Sequence, residues 1–199
     1  MAADANIKVG FGDYGGIANG VFRTCLDALS RPGLIRDLAG MPAAPAPLLA
    51  SGAAVLLTLA DFETTFWLDD ELMQSTGVEE YIRFHTGARR VTSAAEADFV
   101  VFSDTSKMAR LSAFKSGTRE FPDRSATLIV QVDQLLNAGL VFTGPGIDGQ
   151  VSFSTHPEIE DFASQLIENR AAFPCGVDLI FVTETQMAAL PRSVNVSGA

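Results

Sequence analysis

Short runs of β-branched and aromatic residues alternate with helix-patterned stretches along nearly all of this 199-residue chain, and that alternation restricts the possible folds more than any other feature. Thr65-Phe66-Trp67-Leu68, Phe99-Val100-Val101-Phe102, the segment Ala126 to Val132 and the segment Val177 to Thr183 are too short for helices and almost free of charge. Strands covered on both faces read this way. Between them, Ile17, Val21, Phe22, Cys25, Leu26 and Leu29 recur at helical spacing and line one face. Leu48 to Ala60 is small and apolar nearly all round, with Ala50, Ala53 and Ala54 permitting close approach, so it predicts a buried helix. Val78 to His85 and Thr105 to Phe114 read as further helices, and Pro157 is placed to open another that runs to about Ala172.

The punctuation agrees. Ser30-Arg31-Pro32-Gly33 stops the first helix, and Leu34 to Leu38 follows as a short strand. Gly144-Pro145-Gly146 separates a strand at Leu140 to Thr143 from the segment Ile147 to Phe153, and Glu184-Thr185 turns Val177–Thr183 back into Met187 to Leu190. Seven or eight strands among five helices predict a three-layer α/β domain whose sheet is mixed. The chain divides into a flexible N-terminal arm (1–14), one α/β domain (15–192) and a C-terminal tail (193–199). The Pro-rich stretch Gly40 to Pro47 is too short for a domain linker.

Charge narrows the function. A net charge of −10 and a pI near 4.5 argue against nucleic acid or an anionic membrane as partner, since both attract surplus Lys and Arg. No run of about 18 uncharged apolar residues is present, so a cytoplasmic location is expected. Cys25 and Cys175 make no disulfide framework and read as core residues; with His85 and His156 far apart, no metal site is expected.

One motif points elsewhere. Gly10-Phe11-Gly12-Asp13-Tyr14-Gly15 fits the dinucleotide-binding pattern, with a helix after it and Asp37 ending the next strand. That reading makes the chain a stand-alone nucleotide-binding enzyme, but its leading strand would be only Ile7-Lys8-Val9, whereas such strands are central and strongly apolar.

Two groups are candidates for a site. Arg83, His85 and Thr86, with Arg89 and Arg90 beside them, concentrate positive charge in an acidic chain and match phosphate oxygens in geometry. Alternatively they cap and pair the end of a helix before Gly87. Asp178, inside an apolar run, must find a partner or raise its pKa; Arg192, Arg23 and Arg31 are the available cations, and a substrate-facing acid is the other reading. Arg192 could equally face a partner protein. No Gly-x-Ser-x-Gly elbow is present, so no catalytic residue is assigned, and Asp69-Asp70-Glu71 and Glu79-Glu80 read as solvated faces.

Six signatures share an order and spacing: Phe22-Arg23 leading to Ser30-Arg31-Pro32-Gly33, Leu56 to Asp61, Arg83-Phe84-His85-Thr86-Gly87-Ala88, Ser125 to Val132, Gly144-Pro145-Gly146-Ile147, and Phe173-Pro174-Cys175-Gly176-Val177-Asp178 running on to Leu190-Pro191-Arg192. Together they resemble the PhnH family, phosphonate-metabolism proteins of the bacterial carbon–phosphorus lyase core complex. The resemblance implies a fold like that of pyridoxal-phosphate-dependent transferases without the cofactor, a homodimer that joins other lyase subunits, and a phosphonate or phosphate-containing ligand. It also implies support for making a ribose-linked phosphonate triphosphate. The residues agree on the cofactor, since Lys8, Lys107 and Lys115 are the only lysines and none is placed as a desolvated Schiff-base group.

Overall fold

Four apolar runs lie side by side at the centre of the protein, and everything else covers them. The computed structural model describes residues 8–11 and 15–197. In chain order the elements are α1 (Gly15–Ser30), β1 (Arg36–Asp37), α2 (Ala50–Leu59), β2 (Thr65–Leu68), α3 (Asp70–Gln74), α4 (Thr76–Thr86), β3 (Arg89–Arg90) and β4 (Phe99–Phe102). After three 3-10 turns come β5 (Thr127–Gln131), β6 (Gln134–Thr143), β7 (Val151–His156), α5 (Phe162–Ala171), β8 (Asp178–Val182), β9 (Gln186–Leu190) and β10 (Asn195–Ser197).

The large sheet has the order β1-β9-β8-β5-β4-β2-β3. Its β3, β2, β4, β5 and β8 are parallel, and β9 and β1 add antiparallel pairs at one edge, so the fold is α/β with a mixed sheet. Alternate residues serve opposite faces. On β4, Phe99 and Val101 join a core with α1, α2 and α4, while Val100 and Phe102 join a second core with α5 and the small sheet. Both faces are therefore dry, which is why β4 is buried at every position. The small sheet, β10-β6-β7, is antiparallel throughout, and β10 brings residues 195–197 of the C-terminal tail into it.

Some expectations are corrected. Thr105 to Phe114 forms two 3-10 turns, Thr105–Lys107 and Leu111–Ala113, in place of a helix. The Asp104 carboxylate takes the Ser106 amide and the Gln165 side chain takes the Leu111 amide, so two donors that a helix would use are satisfied elsewhere. Helix α5 begins at Phe162, not Pro157, because β7 runs to His156 and the chain needs residues 157–161 to leave the sheet. Strand β6 is ten residues long, with an irregularity between Leu136 and Leu140; its exposed first half carries no apolar run to read. Cys25 is fully buried, and its surroundings push the thiol up to about 12, but Cys175 is only half-buried.

The dinucleotide motif falls partly on residues 12–14, outside the described residues. What is described does not build the required unit: residues 8–11 form no strand, and β1 pairs antiparallel with β9 at the sheet edge. A βαβ unit needs a parallel neighbour. No helix among the described residues is long and apolar enough to cross a membrane.

Candidate functional site

The end of α4 holds Arg83, His85 and Thr86, and the helix itself uses most of what they offer. Thr86 Oγ1 donates to Ile82 O (2.7 Å) and accepts from Ala88 N (2.9 Å), while Gly87, at φ 73°, takes the left-handed turn and donates to Arg83 O. Arg83 is exposed and 3.6 Å from Glu79, which also meets Arg90 at 3.0 Å. His85 lies edge-on to Tyr81 and Phe84, and its Nε2 is 2.9 Å from Lys8 O. It borders a cavity of about 290 Å³ with Val9, Gly10, Phe11 and Leu57. Arg83 and His85 are two positions apart on a helix and do not converge.

Asp178 and Arg192 do converge. Asp178 Oδ1 accepts from Arg192 N (2.8 Å) and Arg192 Nε (3.1 Å), and Oδ2 pairs with Nη2. The same guanidinium donates to Pro122 O (2.7 Å), Pro174 O (3.5 Å) and Ser125 Oγ. One arginine thus ties the amino-terminal ends of β5 and β8 to the exit of β9, and of the three cations open to Asp178 it is Arg192 that meets it. Arg31 instead pairs with Asp27 at 2.9 Å, and Arg23 donates to Asn19 within α1. The Asp27 carboxyl is held below its usual range by its hydrogen bond to Arg36.

The carboxyl ends of parallel strands, where α/β sheets commonly hold ligands, carry a third group that the sequence reading missed. Asp69, after β2, is 2% exposed and not part of a solvated face. It accepts from Leu72 N (3.0 Å), Ser103 N (2.7 Å) and Ser103 Oγ (2.6 Å), capping α3 and tying it to the end of β4. An Asp directly before a short helical run was the available signal. Beside it Glu71 pairs with Lys107, whose pKa is raised by that contact. A cavity of about 310 Å³ here is lined by Glu71, Ser103, Asp104, Gln131 and Asp133 among others, with Gln131 already bonded to Leu49 N and Pro47 O.

A further cavity, about 640 Å³, lies between the small sheet and α5. Leu140, Phe153, Ile159, Phe162 and Ile167 supply its apolar lining, and Glu158, Asp161 and Glu168 its carboxylates. Both of these larger cavities carry acidic groups, which disfavour a phosphoryl ligand. Among the described residues no three His, Cys, Asp or Glu side chains gather as a metal site would require. Lys107 and Lys115 are held by Glu71 and Asp98, and Lys8 Nζ donates to Ala44 O.

The comparisons with known proteins meet this geometry over the whole chain. A relative from Rhizobium meliloti (strain 1021), named alpha-D-ribose 1-methylphosphonate 5-triphosphate synthase subunit PhnH, is 36% identical over 198 residues, covering 98% of each chain. A putative C-P lyase subunit protein, HtxG, from Stutzerimonas stutzeri is 30% identical over 182 residues, 89% of this chain and 86% of its own length. The model of the family described as bacterial phosphonate metabolism protein (PhnH) matches residues 9–197, and with the full-length likeness to the Rhizobium meliloti protein this shows that the chain belongs to the PhnH family.

Proposed function

We propose that this chain is an accessory subunit of a carbon–phosphorus lyase assembly, needed for making the ribose-linked phosphonate triphosphate that precedes carbon–phosphorus bond cleavage in another subunit. The similarity over 198 residues to a protein named as a synthase subunit carries this reading. The geometry is in keeping with it, since Asp69, Asp178, Thr86, Arg192, Lys107 and Lys115 are each engaged by neighbouring groups. The finer parts of the reading are a cytoplasmic homodimer and a transferase-like fold that has lost its cofactor. A phosphoryl-bearing ligand belongs at the end of α4, where Arg83 and Arg89 reach solvent, rather than in the acid-lined cavities.

Reconstitution tests this. The other subunits, supplied with ATP and an alkylphosphonate, should form the ribose-linked product when this chain is present and lose that activity when it is omitted. The chain alone should turn over nothing. Turnover by the isolated chain, or full activity without it, would overturn the proposal.

A further inference from the structure

Two Phe-Pro turns meet on one side of the protein. Arg192 Nη1 donates to both Pro122 O and Pro174 O, which makes the turns neighbours and fixes them to the sheet. The preceding residues, Phe121 and Phe173, are 41% and 51% exposed. Each carries an arginine on its ring: Arg124 Cζ lies 4.3 Å from the Phe121 centroid, and Arg170 Cζ 4.8 Å from that of Phe173. Stacked guanidinium groups keep outward N–H donors. The Arg124 side chain makes no hydrogen bond among the described residues, and the Arg170 side chain gives only its Nε, to Asn195 Oδ1 at 3.1 Å.

This face runs against the charge of the chain. Eight of the fourteen Lys and Arg side chains pair with a carboxylate among the described residues. Three of the remaining six, Arg119, Arg124 and Arg170, stand in these two turns or at the adjoining end of α5. Glu120 and Asp123 share the first turn, so the face is mixed, but its aromatic and arginine content is that of an interface centre.

We infer that the Phe121–Arg124 and Phe173–Arg170 pairs form a docking surface for another protein subunit, one that presents carboxylates to the two guanidinium groups around an apolar contact for the rings. A second copy of this chain fits poorly, because a two-fold contact centred here would set the arginines of one copy against those of the other. The inference rests on the proposed subunit role and names where the partner binds.

The test co-expresses the full chain with the remaining subunits of the assembly and measures their association by native mass spectrometry and titration. Arg124→Glu combined with Arg170→Glu should weaken association about 100-fold or more, and Phe121→Ser with Phe173→Ser should do likewise. Phe84→Ser, at a still more exposed ring on α4, should leave association unchanged, and thermal melting and the self-association of the isolated chain should stay as they are for all three. Wild-type association should also weaken as salt rises. Wild-type affinity in both double variants would overturn this inference while leaving the subunit role standing. Loss of self-association in those variants would assign the face to a homodimer and overturn it too. Failure of the wild-type chain to join the assembly would overturn both readings.

Discussion

Tyr81 takes its hydroxyl into the core under α4, where it is 1% exposed and finds no hydrogen-bond partner; burial pushes its pKa up to about 12. An unpaired buried hydroxyl costs more than it returns, so Tyr81→Phe should leave stability unchanged or raise it by roughly 1 kcal/mol, read as an upward shift in thermal midpoint. A clear loss would mean that a trapped water satisfies the group. Asp98 is the opposite case. Burial raises its pKa, but bonds from Lys115 and from Thr65 N and Oγ1 outweigh that and hold the carboxyl below its usual range. A carboxylate whose folded pKa lies below the unfolded one stabilises the fold at all pH above the unfolded value, about 4, and loses that contribution as pH falls through the folded value. Asp98→Asn should therefore cost about 2 kcal/mol at pH 7 and flatten the acid limb of stability between about pH 4 and the folded pKa. Urea unfolding across that range measures both effects. Neither residue announced itself in the sequence, because Tyr81 lies in an ordinary amphipathic pattern and the partners of Asp98 lie on other elements.

Elements meet here through turns as much as through faces. The Gly144-Pro145-Gly146 turn leading out of β6 sits directly on the Ser30-Arg31-Pro32-Gly33 turn that ends α1. A Cβ on Gly146 would overlap Ser30 O, and its φ of 82° is itself unsuited to other residues. Gly146→Ala should destabilise by about 3 kcal/mol or more, with the loss visible as faster hydrogen exchange in both turns. At this scale β2, β4, β5 and the β8–β9 hairpin were legible, since strands buried on both faces are apolar through most of their length. The first half of β6 and the 3-10 turns near Thr105 and Leu111 were not, because their placement follows from pairing with β7 and from side chains such as Gln165 that arrive from elsewhere.

Across the whole molecule, Arg192 acts as a staple. Its guanidinium joins Asp178, Ser125, Pro122 and Pro174, and is 14% exposed. Arg192→Ala would leave the Asp178 carboxylate, itself only 20% exposed, without its cation, and should cost about 3 kcal/mol in urea unfolding. Arg192→Lys should recover little of it, because an ammonium cannot reach four separate acceptors in the fork geometry that guanidinium offers. Five of the fourteen Phe residues remain exposed, so aromatic surface is carried outward as well as into the core. The sequence by itself determined the α/β class with its mixed sheet, the closing hairpin and the resemblance to the family, because these rest on local periodicity and on short motifs in order. Only the tertiary structure decided which cation Asp178 takes and that Asp69 is buried. It also decided which of the exposed rings stand together. Such choices depend on which side chains the packed sheet brings within a few ångströms, and linear spacing does not encode that distance.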